Sequence, residues 1–354
     1  MNNVFFDNDL RTAVEKALGS RSVPDGQLFL LADEGSFSAC GPAIEGIPAL
    51  ASAKKVVIKA GDDHKTIESV IDVWRFLGQN GGTRRSLLVN LGGGMVTDLG
   101  GFAANTFKRG IAFINIPTTL LSMVDAAVGG KTGINFDGLK NEIGVIKPAA
   151  AVVINTAFLK TLDKRNLLSG YAEMLKHGLL TGDDALSELL AFDILNADPA
   201  GMSGMLQRSI EVKENIVAQD PEEKGIRKAL NLGHTVGHAF ESLSHKLHSP
   251  ALHGYAVAWG MVAELFLSHK LLGFPLDTMQ AVTRFIKGNY GSFPIDCDKY
   301  ETLYGLMQHD KKNQSAAQVN FTLLRAPGRI QIDCTASKEQ IFEALDFYRD
   351  AFGQ

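Results

Sequence analysis

The sequence predicts an α/β protein in which a parallel-sheet domain over residues 1–155 is followed by an all-α domain over residues 156–354. Three observations predict it. Strand-like apolar runs alternate with helical ones from Gln27 to Thr156, the pattern of a parallel sheet with helices on both faces. From about residue 156 onward the long runs are helical and strands become rare. At 354 residues the chain exceeds what one hydrophobic core usually serves, so two domains of roughly 150 to 200 residues are expected.

The first domain starts with QLFLLADE from residue 27, a short apolar run ending in acidic residues. KVVIK from residue 55 reads as the next strand, followed by a polar turn and a helix with Ile67, Val70, Ile71, Trp74 and Leu77 on its apolar face. Residues 87–101, LLVNLGGGMVTDLGG, read as a buried strand running into three glycines and then a helix. Gly92, Gly93 and Gly94 remove every side chain where a pyrophosphate could approach backbone N–H groups at a helix N-terminus. The pattern is not GxGxxG, so alone it supports a generic anion or nucleotide site, beside the plainer reading of a tight strand-to-helix turn. IAFINIPTTLL supplies another strand, and Pro117, Thr118 and Thr119 place hydroxyls at its carboxyl end, the side on which such sheets bind ligands.

Residues 122–150 are glycine-rich and carry Lys131, Lys140, Asn141 and Lys147 around Asp125. A solvated loop would explain the lysines, yet Gly129-Gly130-Lys131-Thr132 clusters amine, hydroxyl and open backbone as a phosphate-recognising loop would. No glycine stands five residues before Gly130, so this is not a Walker A motif and ATP is not expected. AVVINT closes the domain with a further strand.

In the helical half, LDKRNLLSGYAEMLKHGLL places Glu173, Lys176 and His177 at i, i+3 and i+4, which on a surface helix would be an ordinary ion pair. Lys213, Glu223, Arg227 and Asn231 follow, the last three spaced by four. His234 and His238 share a helix face, and His253 begins GYAVAWGMVAELFLSHKLLG, a run apolar on nearly all sides and hence a buried core helix. Histidines at this spacing are often surface or satisfied core residues. With a carboxylate from Glu173, however, His234 and His253 would make the two-His, one-carboxylate set of a catalytic zinc. The basic triplet region Asp310-Lys311-Lys312 and two short extended segments come near the end. Lys131, Lys140, Lys176, Lys213, Arg227 and Lys311, in a chain of net charge −4, point to a polyanionic substrate bearing a phosphate and a carboxylate. A nucleotide site followed by a metal site reads as metal-assisted alcohol oxidation by NAD.

Composition narrows the alternatives. The 45% apolar and 21% charged fractions are those of an ordinary globular protein, and the small negative net charge gives no reason to expect nucleic acid or an anionic membrane as partner. MNNVFFDNDLRTAVEKALG lacks the basic and long apolar regions of a secretory signal, and no stretch approaches the ~20 apolar residues of a membrane span. A cytoplasmic location is expected. Cys40, Cys297 and Cys334 are scattered without CxxC spacing and are read as reduced.

The runs GGGMVTDLGGFAA, FINIPTTLLSMVDAAVGGKTGIN, SGYAEMLKH, ALNLGHTVGHAFE and LHGYAVAWGM, in this order over about residues 27–330, resemble the 3-dehydroquinate synthase family of sugar-phosphate cyclases. The resemblance implies an NAD-binding, Rossmann-like α/β domain ahead of an α-helical metal domain, and a homodimer. It implies conversion of 3-deoxy-D-arabino-heptulosonate 7-phosphate to 3-dehydroquinate and phosphate, a lyase step of the shikimate pathway to aromatic amino acids. In that chemistry a ring hydroxyl is transiently oxidised, phosphate is eliminated, the ketone is reduced back and the ring recloses by an intramolecular aldol step. Glu173, His234 and His253 are implied as ligands of zinc or cobalt, and His238 as an acid-base residue instead. NAD contacts are implied at Asp33, Asp62, Lys65, Gly93, Gly94, Met95, Asp98, Thr118, Thr119, Leu121, Asp125, Lys131, Lys140, Phe158 and Thr161. Substrate contacts are implied at Arg109, Asp125, Lys131, Asn141, Lys176, Lys213, Arg227, Asn231, His238 and one of Lys311 or Lys312. Arg109 is implied to reach the phosphate across the dimer interface, and Glu223 to accept a proton.

The chain departs from the family pattern at Gly35 in ADEGSF, Asp62 in GDDHK and Leu139 before Lys140-Asn141, all on the adenosine side of the NAD site. Rival readings are a valiolone or inosose synthase, a metal-dependent polyol dehydrogenase, and a non-catalytic nucleotide-binding regulator. Lys213, Arg227 and Asn231 together suit a substrate carboxylate, six cations exceed what a polyol needs, and a regulator would lack a metal ligand or His238.

Overall fold

The computed structural model describes residues 4–19, 23–137, 139–196, 198–308 and 319–353, so Lys311 and Lys312 lie outside the described residues. The chain forms two compact units, one of Met1–Asp163 with Asp198–Glu214 and one of Lys164–Ala197 with Asn215–Gln354.

The first unit contains strands β1 (Val4–Phe6), β2 (Leu28–Asp33), β3 (Lys54–Ile58), β4 (Leu87–Gly92), β5 (Ala112–Pro117), β6 (Lys131–Phe136), β7 (Leu139–Ile146) and β8 (Ala151–Ile154). Six of them form one sheet in the order β1-β8-β5-β4-β2-β3, parallel at every pairing. Every residue of β4 and β8 is buried, because helices cover both faces of a parallel sheet and leave no solvent side to demand polar alternation. The covering helices are α1 (Leu10–Gly19), α2 (Glu34–Glu45), α3 (Ile67–Gln79) and α4 (Gly94–Thr106). From β2 the chain steps outward to β3, then returns across β2 to β4 and on to β5, so the order reverses between β2 and β4. Ligands of such sheets bind beyond the carboxyl ends at that reversal. The register pairs Leu91 with Ala32 and Gly92 with Pro117, which brings Asp33, Gly93 and Thr118 to the same edge.

The glycine-rich stretch 122–150, expected as a loop, is ordered secondary structure. Ser122–Ala126 is a π-helical turn, Gly129 (φ 101°) and Gly130 (φ 74°) turn the chain, and β6 and β7 then form an antiparallel ribbon. Gly133 faces Gly144 across it, and a Cβ on Gly144 would lie 2.3 Å from the Thr132 carbonyl oxygen. Gly133 and Gly144 permit close strand approach.

The second unit holds α5 (Lys164–Thr181), α6 (Asp183–Ala191), the end of α7 (Ser203–Gln219), α8 (His234–Lys246), α9 (His253–Leu272), α10 (Leu276–Tyr290), α11 (Tyr300–Gln308) and α12 (Lys338–Phe352). It is not purely helical: β9 (Val319–Ala326) and β10 (Arg329–Ala336) pair antiparallel, where two extended segments were expected. α9 is the central element, packed by α5, α8, α10, α12 and β9, which its apolar circumference requires. Fully buried Val257, Met261, Val262 and Leu265 contribute about 1.5–3 kcal/mol each. Two glycines let neighbours close on it: a Cβ at Gly254 would stand 1.8 Å from the Ser169 carbonyl oxygen, and one at Gly260 2.1 Å from that of Gly233. Among the described residues no helix is long and apolar enough to cross a membrane.

Candidate functional site

In the second unit, three helices each bring one ligand-type side chain to a single point. α5 supplies Glu173, α8 begins with His234 and α9 begins with His253, and their ligand atoms lie within 4.8 Å of one another. Glu173 is fully buried and its Oε1, which accepts no hydrogen bond, faces His234 Nε2 at 3.4 Å and His253 Nε2 at 3.6 Å. His234 Nδ1 lies 3.1 Å from the Leu232 carbonyl oxygen and His253 Nδ1 3.2 Å from Glu241 Oε2. Acceptors at both Nδ1 atoms favour protons there, so that with a cation bound the Nε2 atoms facing Glu173 Oε1 would be the ligating ones. The three residues therefore fit a divalent cation.

The electrostatics agree. Burial would lower the His253 imidazole, but Glu241 and Glu173 beside it push it up to about 10. Burial raises the Glu173 carboxyl, and Lys176 and His253 outweigh it, holding it below the usual carboxylate range. The carboxylates draw positive charge to this point, which a divalent cation would supply while releasing the imidazole proton.

Two groups assigned to substrate, Lys176 and His238, stand beside the three. Lys176, 1% exposed, pairs with Glu173 and donates to the Leu230 carbonyl oxygen at 2.9 Å. The Glu223–Arg227–Asn231 spacing of four does not mark one helix. Glu223 sits in a turn with φ 62°, and Ile226–Asn231 is a 3-10 helix. Arg227 is buried and donates to the Pro221 carbonyl oxygen at 2.7 Å, while Asn231 donates to Glu223 Oε1 at 3.2 Å. His238 lies near both candidate ligand histidines, its ring centroid 5.3 Å from that of His234 and 6.0 Å from that of His253.

In the first unit, the sheet's carboxyl edge gathers most of the residues expected for nucleotide. Gly93 caps α4 with no side chain of its own, leaving Gly94, Met95 and their neighbours to present the free N–H groups of a helix start. A Cβ on Gly93 would lie 3.1 Å from Thr119, whose hydroxyl bonds Ser122 at 2.9 Å just past Leu121. The Thr118 N–H donates to the Gly92 carbonyl oxygen at 3.0 Å. Buried Lys65 donates to Asp98 Oδ2 at 2.6 Å and to Asn141. Burial pushes the Asp98 carboxyl up, against the pull of Lys65. Asp62 lies 3.3 Å from Lys140 and from Asn135, joining the same polar group. Lys213 donates to both the side chain and the carbonyl oxygen of Asp125. Lys131 is the exposed first residue of β6.

Other expected residues are otherwise engaged. The Asp33 carboxylate caps α2 by accepting the Ser36 N–H at 2.8 Å, Phe158 is buried, and Thr161 donates to the Phe158 carbonyl oxygen at 2.7 Å. Arg109 (φ 69°) follows Lys108 (φ 50°) in a left-handed turn and lines a hollow of about 580 Å³ with Thr83, Arg84 and Lys108 rather than with the other site residues.

Two family profiles match consecutive parts of the chain, 3-dehydroquinate synthase N-terminal over residues 55–169 and 3-dehydroquinate synthase C-terminal over residues 170–313. The chain is 51% identical over 345 residues to the 3-dehydroquinate synthase of Parabacteroides distasonis, covering 98% of this chain and 97% of that one. The chain belongs to the 3-dehydroquinate synthase family. It is an enzyme family, and the rival readings are not favoured at this identity. Solved structures share the fold of this family member at lower identity. A 2-deoxy-scyllo-inosose synthase complexed with carbaglucose-6-phosphate, NAD+ and Co2+ superposes with TM-score 0.82 at 22% identity, over 97% of this chain and 96% of that one. A 2-epi-5-epi-valiolone synthase from Streptomyces hygroscopicus with NAD+ and Zn2+ bound gives TM-score 0.81 at 23% identity, over 99% and 97%.

Several groups around the candidate sites were not singled out from the sequence. Glu241, behind His253, resembles any helix acid in the sequence. Asp220 holds the loop ahead of Arg227, its carboxylate accepting the N–H groups of Lys224, Gly225 and Arg227 at 3.0, 2.7 and 3.0 Å. Asn135 anchors the Asn141 backbone at 2.9 Å. Glu264 had a readable signal: it is the one charged residue in the apolar run 254–267, and a buried carboxylate must find donors.

Proposed function

We propose that the protein converts 3-deoxy-D-arabino-heptulosonate 7-phosphate to 3-dehydroquinate and phosphate, as an NAD- and divalent-metal-dependent carbon–oxygen lyase. The observation that carries this reading is the convergence of Glu173, His234 and His253 beside Lys176 and His238 in a chain of this family. NAD at the carboxyl edge of the sheet would supply a transient hydride acceptor, and zinc or cobalt held by the three ligands would polarise the reacting hydroxyl.

The chain's own residues have three tasks. Within the second unit, Lys176, Arg227 and Asn231 would bind and orient the anionic substrate. Charge-assisted contacts of this sort contribute about 1.5–3 kcal/mol each and fix the reacting geometry. His238 would move protons, and Glu223, which accepts from Asn231, would accept one. Lys65 holds Asp98 and Asn141 in place, whereas Asp33, Phe158 and Thr161 would contribute through shape and backbone. The leaving phosphate can itself serve as one of the bases.

The homodimer is supported by apolar surface on the β6–β7 ribbon, where Phe136, Leu139, Ile143 and Ile146 stand exposed. A cytoplasmic setting suits a biosynthetic enzyme whose substrate and cofactor are both soluble. The test is substrate choice: the purified protein should release phosphate from 3-deoxy-D-arabino-heptulosonate 7-phosphate and not from a sugar phosphate lacking the carboxylate. Turnover of the second alone would assign the site to another cyclase chemistry.

A further inference from the structure

α8 starts without a cap of its own. Its N-cap residue is Gly233 in the left-handed region (φ 78°), with no side chain to accept a hydrogen bond from the first turn. A Cβ there would meet Met261 Cγ at 2.5 Å, so no capping side chain could be accommodated without movement. The missing acceptors arrive from α9: Glu264 Oε2 accepts the Gly233 N–H at 2.6 Å and Glu264 Oε1 accepts the Val236 N–H at 3.0 Å.

Glu264 is fully buried. Placing a carboxylate inside an apolar helix is costly, and such a charge is often replaceable by an apolar group without loss of stability. Its two oxygens and its negative charge at a helix N-terminus do what an apolar group cannot, since they fix the axial position of α8 against α9. Gly260, one turn before Glu264, makes the approach possible, because any Cβ there would collide with the Gly233 carbonyl oxygen at 2.1 Å. His234 is the first residue of α8 and His253 the first residue of α9. One helix therefore carries one ligand and the clamp that holds the other.

We propose that Glu264 is a positioning residue for the metal centre: by capping α8 from α9 it sets the separation of His234 and His253, and with it the affinity and coordination geometry of the divalent ion. This rests on the reading of Glu173, His234 and His253 as ligands. The test compares the full-length wild type, E264Q and E264D well below their unfolding temperatures, by chelator competition for Zn2+ and by the ligand-field absorption of bound Co2+. E264Q keeps the shape but offers one acceptor where two are needed, so zinc affinity should fall about ten-fold or more and the Co2+ bands should shift. E264D keeps the charge with a shorter reach and should fall between. Wild-type affinity and spectrum in E264Q, whatever its melting temperature, would overturn the proposal. A wild type that binds neither ion removes the metal reading and the proposal together, which is a distinct result. Should E264Q not fold, amide exchange in the wild type decides: slower exchange at Gly233 and Val236 with zinc than after chelation is expected, and equal rates would refute the coupling.

Discussion

Glu241 shows what one side chain behind a candidate ligand does. Its carboxylate, 3.2 Å from His253 Nδ1, orients the imidazole so that Nε2 meets Glu173. E241Q should keep the fold and lower zinc affinity about 10- to 100-fold, measured by chelator competition; unchanged affinity would mean that the ring is held by packing alone. His238 divides from its neighbours by the opposite signature. H238A should lower turnover by about 10²- to 10⁴-fold with metal content retained, and loss of metal would place His238 among the ligands. The histidines were legible because spacing of four on a helix and the start of an apolar run are local signals. Glu173 could be nominated only as a carboxylate in search of partners, since its place depends on three helices meeting. Glu241 was illegible for the same reason, and Arg109 was legible as a family residue while its left-handed backbone was not.

At the scale of elements, the loop between α7 and Arg227 depends on Asp220, whose carboxyl sits below its usual range because three backbone N–H groups outweigh the burial that raises it. A depressed folded-state pKa contributes stability above the unfolded value of about 3.8, lost as pH falls through the lower folded value. The melting-temperature gap between wild type and D220N should therefore be constant from pH 7 to pH 5 and shrink below pH 4; a gap that grows on acidification would contradict this. G260A tests the close α8–α9 approach and should cost about 1–3 kcal/mol in denaturant unfolding by overpacking. The β6–β7 ribbon escaped sequence reading because glycine marks loops far more often than strands, whereas Gly133 and Gly144 are there to let two backbones meet. β1 escaped because three residues carry no periodicity.

For the molecule as a whole, the alternation of strands and helices and its loss after residue 156 made the α/β-then-α order readable, since burial on both sheet faces leaves uninterrupted apolar strands. The return of residues 198–214 to the first unit was not readable, because contact between distant segments leaves no local pattern. That return puts Lys213 on Asp125. A ligand that binds the folded state should stabilise it by mass action, about 2.7 kcal/mol at one hundred times its dissociation constant, so zinc should raise the melting temperature and chelation should reverse it. The central claim is that the reaction borrows NAD and returns it. Incubating the purified protein with 3-deoxy-D-arabino-heptulosonate 7-phosphate, zinc and substoichiometric NAD, while following phosphate, 3-dehydroquinate and NADH together, tests it most directly. Many equivalents of phosphate and 3-dehydroquinate per NAD with no net NADH, abolished by chelation and restored by zinc, is the predicted result. NADH accumulating in step with product, or turnover indifferent to chelation, would contradict it.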